Sequence, residues 1–374
     1  MTDEWWPHAE ALADAVTHPG SRWFEPLARV PRHVFVPAWW RRADGGWQWT
    51  HGPLAHVYAD RSLVTRVGPL HADHAGPGDT AIGLPTSSST EPGLLVKMYR
   101  YAHLADGLDV LDVGTGSGYG AALLAHRYGD QAVTSVDVDP YLTKAAAGRL
   151  DEAGLHPAVV TVDATGPLPG SYDRIVSTVA VRPVPPSWLA ALRLGGRLVT
   201  VIAGTWLILT ATKTPDGVFG QVERDWAGFM RTRTGEDYPA ERTSLVEAIG
   251  ERAGEQVAMG RYPLVDVAEA WELRTMLEIA SPGIQHRFER GSLDGSSTAW
   301  MAHPDGSWAR ARTLIGQPLP VVHQGGVRRL WDELDAARES WLREGAAPFL
   351  GARAMVEPDG TVKLARGSWR GVLA

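Results

Sequence analysis

The spacing of apolar residues changes along the chain, and each change marks an element. From Glu91 on, Leu94, Leu95, Met98, Tyr99 and Ala102 recur at helical spacing, and Pro92 suits a first helical turn. Short apolar runs then alternate with helical ones. Residues 110–113, 133–138, 159–162, 174–179 and 198–202 read as strands. Residues 119–128, 141–153 (closed by Gly154) and 187–192 read as helices, with a turn at Gly195-Gly196. This β-α-β-α rhythm predicts a parallel sheet flanked by helices.

After Ile202 the pattern turns antiparallel. Residues 206–213 and 218–226 flank Thr214-Pro215-Asp216-Gly217, a turn in which Pro fixes φ and Gly accepts φ > 0. Pro-Asp-Gly turns recur at 304–306 and 358–360 between strand-like runs. Residues 231–245 are polar and read as a linker. Beyond them lies an α+β segment in which Val327, Leu330, Trp331, Leu334 and Trp341 mark the packing face of a helix. At the other end, residues 1–80 mix short helices and loops, and 67–90, dense in Gly, Pro, His and Ser, read as a surface loop over a site. The expected division is 1–80, packing on the core; 81–235, the α/β core; and 236–374, an α+β domain.

Length and composition narrow the classes. The 374 residues suit about two domains. Cysteine is absent, which excludes a disulfide scaffold, a thiolate zinc site and a cysteine nucleophile. A net charge of −7 offers no footprint for nucleic acid. Neither a secretory signal nor a membrane-spanning run is visible, so the expectation is a cytoplasmic protein without a membrane partner. Seven of the 16 tryptophans fall in the first 49 residues; they read as core, with a ligand wall as the alternative.

The chemistry concentrates in Val110-Leu-Asp-Val-Gly-Thr-Gly-Ser-Gly-Tyr-Gly120. A buried strand runs into a glycine turn and a helix. Gly114, Gly116 and Gly118, with Thr115 and Ser117 between them, let backbone approach a ligand where a helix N-terminus offers free N–H groups. Dinucleotide binders place a third glycine where this chain has Tyr119. Asp137, followed by Val138, ends the second strand, where a carboxylate accepts from ribose hydroxyls; Asp163, followed by Ala164, ends the third, beside an adenine amino group. Asp112 precedes the glycines, within reach of the ligand's amino group. The arrangement resembles class I methyltransferases, which implies a Rossmann-like, mostly parallel α/β sheet and S-adenosylmethionine as cofactor.

From Ala28 to about Gly235 the chain resembles the protein-L-isoaspartate O-methyltransferase family. The matching pieces are Val30-Pro-Arg-His-Val-Phe-Val-Pro37, Tyr58-x-Asp60, Ser88-Ser-Thr-Glu-Pro92, the glycine motif, Tyr172-Asp-Arg-Ile-Val-Ser-Thr178 and Leu194-Gly-Gly-Arg-Leu-Val199. The resemblance implies methylation of a peptide carboxylate, with no metal. The family has a serine two residues before the proline, in contact with the reacting carboxylate; here Thr90 stands there, behind Ser87, Ser88 and Ser89. Thr90, Ser88 and Ser89 are accordingly the catalytic candidates, and Ser87 and Arg182 the substrate-binding ones. The hydroxyl run also suits a helix N-cap. An aspartyl-type carboxylate, with a pKa of about 4, is ionised at neutral pH and needs no general base.

Two weaker signals are set aside. His71-x-x-His74 with Asp73 has metal-ligand spacing but reads as a solvated loop. Val184-Pro-Pro-Ser-Trp188 is similar to the proline pair of amino-methylating nucleic-acid enzymes, yet lacks the preceding Asp or Asn. The C-terminal extension and Thr90 resemble the form of this family that tailors ribosomally made peptides (lasso peptides, lanthipeptides and ATP-grasp-ligated peptides). That form implies methylation of an aspartate in a constrained peptide, which then closes to an aspartimide or, after hydrolysis, isoaspartate. Repair of isoaspartyl residues, small-molecule O-methylation and non-catalytic peptide binding are the alternatives.

Overall fold

The computed structural model describes residues 4–43, 45–234, 245–291, 295–345 and 348–374. The N-terminal part holds α1 (Trp6–Val16), α2 (Phe24–Arg29), α3 (Arg32–Phe35), β1 (Trp39–Ala43), β2 (Gly46–Thr50), α4 (Leu54–Val57), β3 (Leu63–Val67), β4 (Leu70–His71), β5 (Thr80–Ala81) and β6 (Pro85–Ser89). Its strands pair in the order β4-β3-β1-β2-β5, and β6 also pairs with β3. Thus the polar stretch expected as a loop ends in a strand. Val64 lies opposite Ser88 and Leu63 opposite Ser89. Trp23, Trp39 and Trp40 are buried, as the core reading requires.

The core follows as α5 (Pro92–Tyr101), β7 (Val110–Val113), α6 (Tyr119–Tyr128), β8 (Val133–Asp137), α7 (Pro140–Glu152), β9 (Ala158–Thr161), β10 (Tyr172–Val181), α8 (Pro186–Ala191), β11 (Leu192–Ile202), β12 (Leu207–Thr214) and β13 (Gly217–Trp226). Strands β11-β10-β7-β8-β9 are parallel; the β12–β13 hairpin adds to them antiparallel. Gly195-Gly196 does not separate a helix from a strand. β11 begins at Leu192, and Gly195 is accommodated inside it at φ +76°. Of the expected linker, 235–244 lie outside the described residues, whereas Thr232 N–H donates to the Ala180 carbonyl at the end of β10.

The C-terminal part comprises β14 (Gln256–Met259), α9 (Trp271–Ala280), β15 (Gln285–Arg290), β16 (Ser297–Ala302), β17 (Trp308–Thr313), β18 (Val321–Gly325), α10 (Leu330–Arg343), β19 (Arg353–Val356), β20 (Val362–Arg366) and β21 (Trp369–Leu373). Strands β14 to β18 form their own antiparallel sheet, ordered β14-β18-β17-β16-β15. Leu330, Trp331 and Leu334 of α10 are buried, but Val327 precedes the helix and is exposed.

The expected boundary at 236 does not separate the sheets. β19 pairs with β13, and β20 and β21 follow, making one ten-stranded sheet ordered β21-β20-β19-β13-β12-β11-β10-β7-β8-β9. The sheet expected to be mostly parallel is therefore mixed, parallel on one side of β11 and antiparallel on the other. Apolar alternation in the last twenty residues carries this: Val362, Leu364, Trp369 and Leu373 all reach the core. Chain ends usually fray unless tied into a sheet. Leu373, one residue from the end and fully buried, is accordingly expected to cost roughly 2–4 kcal/mol when changed to Ala. Urea denaturation of Leu373→Ala measures this, and a midpoint equal to wild type would contradict the packing.

Candidate active site

The glycine turn is held to the sheet from several sides. Gly114 and Thr115 donate backbone N–H groups to the Val136 carbonyl on β8. The Gly116 N–H donates to Asp137 Oδ2 at 3.0 Å, and the Asp139 N–H to Asp137 Oδ1 at 3.1 Å. Gly116 has φ +52°, and a Cβ there would stand 3.2 Å from the Ser88 carbonyl oxygen. Gly118 also serves packing. A Cβ there would meet Ala146 Cβ of α7 at 2.9 Å.

Strand β6 crosses this turn with alternating sides. Ser87 is buried and its Oγ accepts from Thr65 Oγ1 at 3.0 Å. Ser89 is buried too, its Oγ without a partner among the described residues. Ser88 and Thr90 instead line a small cavity with Asp112, Gly114, Thr115, Ser117, Tyr119 and Thr178. The structure thus brings Ser88 and Thr90 into the cavity, while Ser87, whose Oγ would lie 3.7 Å from a Cβ at Gly116, and Ser89 do not line it.

The hydroxyl run does not cap α5. No side chain caps its N-terminus from Glu91; the Gly93 N–H is taken by Asp60 Oδ1 at 2.7 Å and the Glu91 N–H by Ser62 Oγ at 3.0 Å. Ser88 and Thr90 are free of that duty. Thr90 is fixed through its backbone, because the fully buried Arg32 donates to the carbonyls of Ala59 (2.8 Å), Arg61 (2.9 Å) and Thr90 (3.3 Å).

Asp112 faces the cavity from β7. Its Oδ2 accepts from Ser135 Oγ at 2.7 Å, and Ser135 Oγ lies 2.7 Å from Thr115 Oγ1. Burial pushes the Asp112 carboxyl up to about 7, against the opposing hydrogen bond from Ser135. Asp137 is also raised by burial, with the Gly116 and Asp139 N–H groups lowering it in part. Val138, between the two acids, is half-buried.

Other candidates lie elsewhere. Asp163 Oδ1 accepts from the N–H and Oγ1 of Thr165 at 2.8 and 2.7 Å, closing a local turn outside the cavity. The Ala164 carbonyl accepts from Trp188 Nε1 at 2.6 Å, which gives the tryptophan two residues after the proline pair a structural task. Arg182, expected to meet a second acid on the substrate, pairs with Glu278 of α9 at 3.1 Å and donates Nε–H to the Ala374 carbonyl at 3.1 Å. The solvated-loop reading of His71 also gives way. His71 is buried, its Nδ1 accepts from the Asp73 N–H at 3.1 Å, and its ring packs on Tyr141. Asp73 pairs with Arg149 and accepts from Tyr141 Oη. Among the described residues no group of three or more His, Cys, Asp or Glu is arranged to hold a metal. None of their helices is long and apolar enough to cross a membrane.

Sequence reasoning missed Thr178, Ser135 and Arg32 as site residues. Thr178 Oγ1 donates to the Gly114 carbonyl at 3.2 Å from the C-terminal end of β10, the position where open α/β sheets build sites. Its place after four parallel-strand residues was a usable signal. Arg32 gave only its membership of a quoted motif.

Comparison with known proteins decides the family. The model of Protein-L-isoaspartate(D-aspartate) O-methyltransferase matches residues 78–223. The protein-L-isoaspartate O-methyltransferase of Ignicoccus hospitalis is 31% identical over 201 residues, covering 52% of this chain and 80% of that protein. The chain belongs to the protein-L-isoaspartate O-methyltransferase family. It is an S-adenosylmethionine-dependent carboxyl O-methyltransferase. The relative from Gloeobacter violaceus is 30% identical over 203 residues, 52% of this chain and 82% of its own. A solved protein-L-isoaspartate O-methyltransferase structure shares the fold over 97% of this chain and 98% of its own, at 17% identity and a TM-score of 0.51.

The residues present suit this cofactor. A carboxylate bound to the glycine turn, a second buried carboxyl facing the cavity and a close backbone approach at Gly116 form a set that accepts hydroxyl and ammonium donors. Asp112 also sets a pH dependence. In the folded chain it keeps its proton up to about 7, against 3.8 for the free carboxyl. Its stabilising contribution is complete below about pH 4 and lost as pH rises through about 7. Thermal melts of the cofactor-free protein should show Tm falling over that window, with the fall reduced in Asp112→Asn. An identical slope in the variant would assign the effect to other groups.

Proposed function

We propose that the enzyme methylates the side-chain carboxylate of an aspartyl-type residue held within a peptide, and that its preferred substrate is an aspartate in a constrained, ribosomally made peptide. The observation carrying the carboxylate reading is the pairing of Ser88 and Thr90 in one cavity with Asp112 and Thr178, where no imidazole lines the walls. A phenol or alcohol substrate would call for a base beside the methyl. An ionised carboxylate calls only for orientation.

S-adenosylmethionine, when bound, supplies a methyl group already electrophilic on its sulfonium. Asp137 would hold the ribose hydroxyls and Asp112 the amino group, while Gly114 to Gly118 admit the ligand to the backbone. Ser88 and Thr90 donate hydrogen bonds that orient the carboxylate without taking its charge. Arg32 keeps Thr90 in register by gripping its carbonyl. Leu95 and Tyr119 close the cavity with apolar surface and keep water from it. Positioning of this kind supplies on the order of several kcal/mol of the barrier.

The preference for a constrained aspartyl peptide is supported by Thr90, whose extra methyl narrows the cavity where the family carries serine, and whose branched side chain is stiff. Once the ester forms, attack by the neighbouring backbone amide nitrogen expels methanol and closes the aspartimide. That step is intramolecular and needs little help. Repair of isoaspartyl residues is the second reading, favoured by the fold shared along nearly the whole chain with a protein-L-isoaspartate O-methyltransferase.

Intact-mass analysis separates the two. A cyclised aspartyl peptide should gain one methyl and then lose methanol, while a linear isoaspartyl peptide stays unchanged. Turnover of the linear peptide alone would establish repair. In either case Thr90→Val is expected to lower kcat by about 10²-fold or more, with affinity for S-adenosylhomocysteine by calorimetry within about twofold of wild type. Normal turnover in that variant would remove Thr90 from the chemistry.

A further inference from the structure

The small C-terminal sheet carries a second recess that the methyl-transfer site does not use. Its edge strand β14 pairs with β18 alone among the described strands, Ala258 opposite Val322 and Gln256 opposite Gln324. Helix α10 faces that side of the sheet, and between them lies a cavity of about 270 Å³. Gln256, Ala258 and Gly260 line one wall and Trp331, Asp332 and Asp335 the other.

Two polar atoms in the helix wall, Trp331 Nε1 and Asp335 Oδ1, have no partner among the described residues. Trp331 is 1% exposed and Asp335 5%. One is a donor and the other an acceptor, and a spacing of four residues puts them on one face of α10. Buried polar atoms are ordinarily satisfied, so this pair marks a place for an external partner with both functions. Burial raises the Asp335 carboxyl, while Arg338 and Arg261 lower it and Asp332 raises it further. The Arg261 N–H already donates to Asp335 Oδ2 at 3.4 Å, and a carboxamide complements the two remaining atoms, bringing an N–H donor and a carbonyl acceptor.

The strand beside the recess is suited to an extended chain. The run Gln256-Val-Ala-Met259 is exposed throughout and lacks the Lys, Pro or inward charge that normally blunts a sheet edge. A free edge bordering a helix-walled groove is the geometry by which sheets take up a further strand, with main-chain hydrogen bonds for affinity and a pocket for one side chain.

We propose that this recess recruits the peptide substrate through an extended segment remote from the methylated residue. The segment adds to the β14 edge and places an Asn or Gln side chain between β14 and α10, donating to Asp335 Oδ1 and accepting from Trp331 Nε1. The proposal rests on the peptide-substrate reading above.

Phage-displayed random linear peptides selected on the full-length protein provide the test. Enriched peptides should share an Asn or Gln within a β-forming stretch. They should bind Ala258→Phe, which fills the recess from an exposed position, and Asp335→Leu at least about tenfold more weakly than wild type. Equal binding to Ala258→Phe, convergence on Lys or Arg, or a wild-type dimer that Ala258→Phe renders monomeric would each overturn it, the last by assigning the edge to a second copy. Methyl transfer to a short isoaspartyl or aspartyl peptide should be unchanged in Ala258→Phe, and its loss there would also overturn a remote recruiting role. Peptide binding at the recess with no methyl transfer by wild type to a cyclised aspartyl or a linear isoaspartyl peptide would sink the carboxylate reading and with it the recruiting role, leaving a peptide-binding recess of another use.

Discussion

The approach of two backbones fixes the geometry of the site. Gly116 and the Ser88 carbonyl lie so close that a single Cβ at Gly116 would stand 3.2 Å from that oxygen. This distance lets strand β6 of the N-terminal sheet lie over the glycine turn of the core. Only a residue that accepts φ +52° without a side chain satisfies both the turn and the crossing. With that contact made, strand alternation does the rest, turning Ser88 and Thr90 inward and burying Ser87 and Ser89. Arg32 anchors the crossing from behind: its buried guanidinium gathers three carbonyls from both flanks of the N-terminal sheet.

Charge is distributed so that the reacting region stays sparse. Arg66 and Arg233 both pair with Asp139, the latter at 2.9 Å, and Asp139 also caps α7 by accepting from the Tyr141 and Leu142 N–H groups. These guanidinium groups hold its carboxyl below the usual carboxylate range against the pull of burial. Two residues earlier, Asp137 binds backbone N–H groups, and across the turn Asp112 is held by the Ser135 hydroxyl and feels the Asp137 carboxylate. Cations placed beside Asp112 would compete with an incoming ammonium group, whereas Ser135 orients the carboxyl without neutralising it. The same logic would govern Ser88 and Thr90 in the proposed reaction. Hydroxyls orient a carboxylate and leave it nucleophilic.

The core and the glycine turn were legible because their signals are local: a period of apolar residues, glycines at fixed offsets, acids at strand ends. The helix from 119 to 128 and the hairpins around the Pro-Asp-Gly turns follow the same rule. What escaped was set by partners far away in sequence. Arg182 read as a substrate contact because Glu278 and Ala374, its partners, lie 96 and 192 residues away. His71 looked like loop because Tyr141 and Arg149, which pack or pair around it and Asp73, belong to α7. The hydroxyl strand read as loop because Ser and Thr side chains say little about β pairing when the partner strand β3 lies some twenty residues back.

The same distance effect explains why the C-terminal half is not an appendage. β19, β20 and β21 continue the sheet that carries the site, and Arg182, just past β10, is clamped between α9 and the final residue. Thr275 Oγ1 of α9 donates to the Thr205 carbonyl, in the connection that leaves β11. Trp271 of α9 lies against Trp226 at the end of β13, and Trp226 stacks on Trp206. Each of these ties ends on a strand or connection continuous with Thr178 through one hydrogen-bonded sheet. A peptide held at the proposed recess would thereby be held in the frame of the cavity, so that binding energy gained far from the carboxylate could restrict its motion at the methyl. A flexible linker between two independent domains would lose most of that benefit, since the bound segment would then sample many placements. The β14–β18 sheet is not part of that continuity; it meets the ten-stranded sheet through α9 and α10, and this packing is what would let the proposed recess act on the cavity.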